Sequence, residues 1–100
     1  MTEEEYALFC LLEKENLSNS DRERVKLASK TLLESLQNLV APLERWTEKE
    51  QTQAEVEVFI LDRLFEMLPT PPFSEEEKQT VARRVYQHVW QQSASGLFAV

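Results

Sequence analysis

The sequence predicts an all-α fold, a small antiparallel bundle of about four helices. Three observations predict it. Apolar residues recur at spacings of three and four through the long segments of the chain, the period of a helix with one buried face. Four Ser/Thr-x-x-Glu pairs, Thr2/Glu5, Ser20/Glu23, Thr47/Glu50 and Ser74/Glu77, each precede an apolar stretch. At that spacing the hydroxyl and the carboxylate satisfy two orphan backbone N–H groups at a helix start. Strand signals are missing. The chain has 1 Gly, no Asn-Gly or Asp-Gly pair, and no alternation beyond Val56-Glu57-Val58.

The first helix begins at Thr2, with Glu3 and Glu4 at the positive end of its dipole. Leu8, Phe9, Leu11 and Leu12 form its apolar side. It is expected to end near Glu15, where Asn16-Leu17-Ser18-Asn19-Ser20 competes with helix through side-chain to backbone bonds. Ser20 and Glu23 cap the second helix, which carries Val25, Ala28, Leu32, Leu36, Leu39 and Val40 on one face. Pro42 disfavours helical geometry in Ala41, so this helix stops near Val40. Thr47 and Glu50 set the third start. That helix runs to about Leu68 with Val56, Val58, Phe59, Ile60, Leu61, Leu64, Phe65 and Met67. So broad an apolar surface predicts the most buried helix of the four, with one solvated edge. Pro69-Thr70-Pro71-Pro72 ends it. The fourth helix follows the Ser74/Glu77 cap, repeats Val81, Val85 and Val89 every fourth residue, and closes at Gln91 or Gln92. Residues 2–92 are therefore expected to be one helical assembly domain and residues 93–100 a flexible tail.

With 100 residues, 42% of them apolar, the chain is long enough for a single small core. The balance of 18 acidic against 11 basic residues, a net charge of −7, opposes autonomous nucleic-acid binding. A single Cys and a single His exclude an internal disulfide, a cysteine-based zinc site and a histidine-rich metal site. Low cysteine usage suits a reducing compartment, so a cytoplasmic location is expected. No apolar run approaches the roughly 20 residues of a membrane span. Acidic Met1-Thr2-Glu3-Glu4-Glu5 is the reverse of a secretion signal. The chain alone is expected to be no enzyme, with no cofactor, metal or small-molecule ligand.

Residue by residue, chemistry is sparse. Asp62 followed by Glu76-Glu77-Lys78 superficially fits a restriction-nuclease pattern. The last three lie in the first turn of a capped helix, however, where acids answer the dipole. His88 shares a side with Val81 and Val85 and reads as a boundary histidine. Cys10 reads as a small core residue. Arg83 and Arg84 form a modest basic pair, expected to meet local glutamates. Glu48, Glu55, Asp62 and Glu66 fall on one side of the third helix; solvation explains them, and so does contact with a basic protein surface, which would set orientation and on-rate. Trp46 beside Arg45, and Phe73 after three prolines, either seal the core or anchor an interface, where Trp and Arg are enriched.

Several stretches carry a resemblance. Thr2-Glu3-Glu4-Glu5-Tyr6-Ala7-Leu8-Phe9 resembles a helix opening near the C-terminus of the motor and nuclease (R) subunits of type I restriction endonucleases. Leu32-Leu33-Glu34-Ser35-Leu36 is similar to the long Leu-rich helix that follows there. Trp46-Thr47-Glu48-Lys49-Glu50-Gln51-Thr52-Gln53-Ala54-Glu55-Val56 is the closest match. Ile60-Leu61-Asp62-Arg63-Leu64, Leu68-Pro69 and Val85-Tyr86-Gln87-His88-Val89 continue it. The likeness covers about Thr2 to Gln92 and rests on packing and capping residues. It implies the C-terminal helical domain of an ATP-dependent deoxyribonuclease subunit, none of whose nuclease or Walker motifs occurs here. The implied task is docking that subunit onto the methyltransferase and specificity subunits. An excised domain of this kind is expected to bare an apolar patch on its first or second helix. Three other readings remain open: a free-standing helical adaptor or homodimer, an enzyme using the acidic residues with a divalent metal, and a local DNA contact through Arg83 and Arg84 inside a larger complex.

Overall fold

A computed structural model describes residues 2–15, 17–43, 45–70 and 72–94. Among them are four α-helices and no strand: α1 (Glu3–Leu12), α2 (Asn19–Val40), α3 (Glu50–Met67) and α4 (Glu75–Ala94), with a 3-10 turn at Trp46–Glu48. Each helix packs on the next, and α4 returns to α1, so the four close into a bundle. The radius of gyration is 13.2 Å, that of a single compact domain of this length.

The core follows the helical period. Leu8, Phe9 and Leu12 come from α1; Val25, Ala28, Leu32, Leu33, Leu36 and Val40 from α2; Val56, Ile60 and Leu64 from α3; and Val81, Ala82, Val85 and Val89 from α4. Trp46, Leu68 and Phe73 close it from the connections. Ser29 is buried within the α2 stripe, where its hydroxyl donates to the Val25 carbonyl at 2.9 Å, so its polarity is satisfied inside the helix.

Two predicted caps are present. Thr2 and Glu5 exchange bonds of 3.2 and 3.0 Å at the start of α1. Ser74 and Glu77 do the same at 3.1 and 3.0 Å before α4. The other two are corrected. The α2 cap is Ser18, not Ser20: its hydroxyl accepts from the Asp21 N–H at 3.0 Å, and half-buried Leu17 packs against the core just before it. Thr47 caps nothing. It lies inside the 3-10 turn, and α3 begins at Glu50 with Lys49 as an N-cap that makes no side-chain bond. That extra turn carries the buried Trp46. It is tied down from α3, where the Thr52 hydroxyl donates to the Trp46 carbonyl at 2.9 Å and Gln53 Nε2 donates to the Thr47 carbonyl.

Three boundaries also shift. α1 ends at Leu12 rather than near Glu15, and Lys14, just beyond it, leaves the helix to reach the start of α4. α4 runs through Ser93 to Ala94; no Gly or Pro intervenes before Gly96, and Ala is the strongest helix former. The rest of the expected tail, residues 95–100, lies outside the described residues. α3 is not the most buried helix. Seven α2 residues are buried against three in α3, and Val58 stands 56% exposed. α3 has neighbours on its α2 and α4 flanks but none among the described residues on its outer face. Cys10 is exposed, not in the core. About 200° around α1 from Leu8, it faces away from the side that Leu8 and Leu12 bury.

Candidate functional site

The outer face of α3 carries the feature with the most functional content. Glu55 and Asp62 are seven residues apart, so they stack along one line of the helix about 10 Å from each other. Val58 and Phe59 sit between them. With Ala54, Gln51 and Leu39 from the end of α2, they line a shallow open groove whose floor is mainly apolar. Phe59 and Leu39 are half-buried against the core, whereas Val58 is not. Glu55 and Asp62 are exposed, and neither forms an ion pair among the described residues.

Of the predicted acidic side, Glu48 and Glu66 are otherwise engaged. Glu48 lies 3.8 Å from Arg45 Nε. Glu66 lies 3.4 Å from Arg63, whose guanidinium stacks 5.2 Å over the Phe59 ring at the groove edge. Exposed pairs of this kind hold side chains in place weakly. Arg45 also has the left-handed backbone, φ 53°, that starts the 3-10 turn. Such a conformation in a residue bearing a Cβ is costly and is imposed by its surroundings.

Trp46 and Phe73, read as possible interface anchors, are core residues at 4% and 1% exposure. Trp46 meets Tyr86 of α4 edge-on at 6.2 Å, an arrangement the ring quadrupoles favour. Burial raises the Tyr86 phenol above its ordinary range. Phe73 lies under Lys14, whose Nζ is 5.3 Å from the ring centre. Neither ring is presented to a partner in the folded chain.

The roles of two lysines escaped the sequence reading, which passed over Lys14 and weighed Lys78 only as part of a nuclease-like triplet. Lys14 Nζ donates to the Pro72 carbonyl at 2.7 Å and to Glu77 Oε2 at 2.6 Å. It pins the α1–α2 connection to the start of α4 and holds the Glu77 carboxyl below its ordinary range, helped by the Ser74 N–H. Lys78 is 5% exposed and donates to the Phe65 carbonyl at 3.3 Å. It thus serves one of the unpaired carbonyls at the end of α3, and its charge suits the negative end of that helix. Both contacts are long-range, and no local pattern encodes them.

Among the described residues, the candidate catalytic side chains named from the sequence lie apart. Glu76 and Glu77 sit in the first turn of α4, and Glu77 is committed to its cap and to Lys14. His88 is half-buried, lowered from its ordinary range by burial, in a recess it shares with Glu3, Glu4 and Leu33. Arg83 and Arg84 are exposed, and the expected pairing with glutamates is not made among the described residues. Nor, among those residues, do three or more His, Cys, Asp or Glu side chains gather as metal ligands. Within them no helix is long and apolar enough to cross a membrane. The arrangement can hold another protein surface by apolar contact and by charge. No protein-family model, curated protein or solved structure matches the chain.

Proposed function

We propose that this chain is a non-catalytic helical assembly domain that docks the motor and nuclease subunit of a type I restriction enzyme onto its methyltransferase–specificity core in the cytoplasm. The observation that carries docking is the outer face of α3, where apolar Val58 and Phe59 lie exposed or half-exposed beside Glu55 and Asp62, two carboxylates without an ion pair among the described residues. Contiguous apolar surface rimmed by polar groups marks interaction sites. Tyr6 on α1 and Leu27 on α2 are also exposed, at 59% and 65%, adding apolar surface on the first two helices.

The resemblance described above supplies the partner. Trp46, Val56, Ile60, Leu64 and Leu68 of the matched stretch are core residues. The likeness therefore lies in positions that determine how α3 packs, and Gln51, Ala54 and Glu55 of the same stretch line the groove. Titration of the chain into a purified methyltransferase–specificity complex, followed by calorimetry, tests the reading. Saturable binding is expected. Absence of binding at about 100 μM, a concentration that would reveal even weak association, overturns it. A tight dimer of the chain by sedimentation, without the other subunits, would favour a self-associating adaptor instead.

A further inference from the structure

We infer that the α3 groove receives a basic amphipathic helix of a partner protein, laid along α3 with Lys or Arg residues seven apart. The inference rests on the docking function proposed above and specifies the chemistry of the occupant. Three features of the groove define it. Its floor of Leu39, Ala54, Val58 and Phe59 is apolar and open, so the occupant must offer an apolar stripe. A stripe of one helix lying on another is a recurrent recognition mode, read as anchors three and four residues apart.

Glu55 and Asp62 stand along the middle line of that face, with Val58 to one side and Phe59 to the other, and their spacing of seven residues is the repeat at which two helices packed side by side return to the same face. Both carboxylates lack a partner among the described residues. The nearest basic group on α3, Arg63, is occupied by Glu66 and by the Phe59 ring. Charge complementarity therefore selects a cationic helix. An acidic one would set like charges against Glu55 and Asp62, on a chain already at −7, and like-charge juxtaposition is the usual means of rejecting wrong partners. The same sign excludes an anionic membrane surface or nucleic acid as the occupant.

The probe is a synthetic amphipathic helix carrying a leucine stripe flanked by lysines seven residues apart, with a counterpart in which glutamates replace the lysines. Binding is read by NMR shift perturbation on the full chain. The wild-type chain is expected to bind the lysine peptide at least about tenfold more tightly than the glutamate peptide, a difference of ~1.4 kcal/mol. Perturbations should centre on Leu39, Ala54, Val58 and Phe59. Val58→Asp should abolish binding, and the double change Glu55→Lys with Asp62→Lys should reverse the peptide preference. An unchanged preference in the double variant, or perturbations centred elsewhere, overturns the inference. Thermal melts confirm that the variants stay folded, which their exposed positions favour. Failure of the methyltransferase–specificity complex to bind, with the reversal intact, removes that partner and leaves the groove chemistry standing.

Discussion

Lys14 shows how one side chain can hold two connections together. Its ammonium bridges the chain after α1 to Pro72, Phe73 and Glu77 at the start of α4. Charge-assisted bonds are stronger than neutral ones, and here the acceptor is also a helix cap. Lys14→Met is expected to lower the melting temperature by roughly 5 °C, a shift that is large on the scale of small domains. The Glu77 carboxyl is depressed in the folded state, so its contribution is present above its unfolded value, near pH ~4.3, and is lost as pH falls through the lower folded value. Melts taken from about pH 6 down to about pH 3 should therefore fall more steeply for the wild type than for Lys14→Met. None of this was legible in the sequence. The partners lie 58 and 63 positions from Lys14, and a charged residue after a helix reads as solvated. The Thr2/Glu5 and Ser74/Glu77 boxes were legible because every atom in them lies within one turn.

At the scale of the helix, the sequence settled which segments are helical better than where they start. The second start offered two hydroxyls in adjoining registers, Ser18 and Ser20. Local spacing favoured Ser20 with Glu23, yet the chain uses Ser18 with the Asp21 N–H, and Leu17 packs inward immediately before it. Ser18→Ala is expected to cost about 1 kcal/mol, the usual worth of an N-cap. Ser20→Ala should change stability by less than about 0.5 kcal/mol, as exposed substitutions do. Urea unfolding of the two variants separates the registers directly, and equal losses would show that the cap is not at Ser18. The third start failed for a different reason. A 3-10 turn carrying the buried Trp46 occupies the residues that Thr47 would otherwise have capped.

Across the molecule, counting apolar residues along a helix does not count its neighbours. α3 has apolar side chains nearly all round, which reads as deep burial, but a ring of four helices leaves each with an outer face. The acidic line Glu55–Asp62 was legible because a spacing of seven places both on one side. The exposed apolar floor beside it was not, because exposure depends on what packs where. Charge acts at this scale too. Three of the five ion pairs found among the described residues are exposed pairs three residues apart, and such pairs contribute little. A net charge of −7 makes self-repulsion the larger electrostatic effect. Raising NaCl from about 0.05 M to about 0.5 M should therefore raise the melting temperature by a few degrees as screening shortens the reach of that repulsion. A fall would mean that Lys14–Glu77 and Arg22–Glu13 outweigh it.

The outward thiol of Cys10 has a practical corollary. It is the one sulfhydryl in the chain, and it is open to solvent on α1, so a maleimide dye or nitroxide would attach at a single known address without disturbing the interior. Left unlabelled in air, the same sulfur can couple two chains covalently. A gel band that vanishes with reductant would then mimic genuine self-assembly, and replacing Cys10 with Ser removes that artefact at its source.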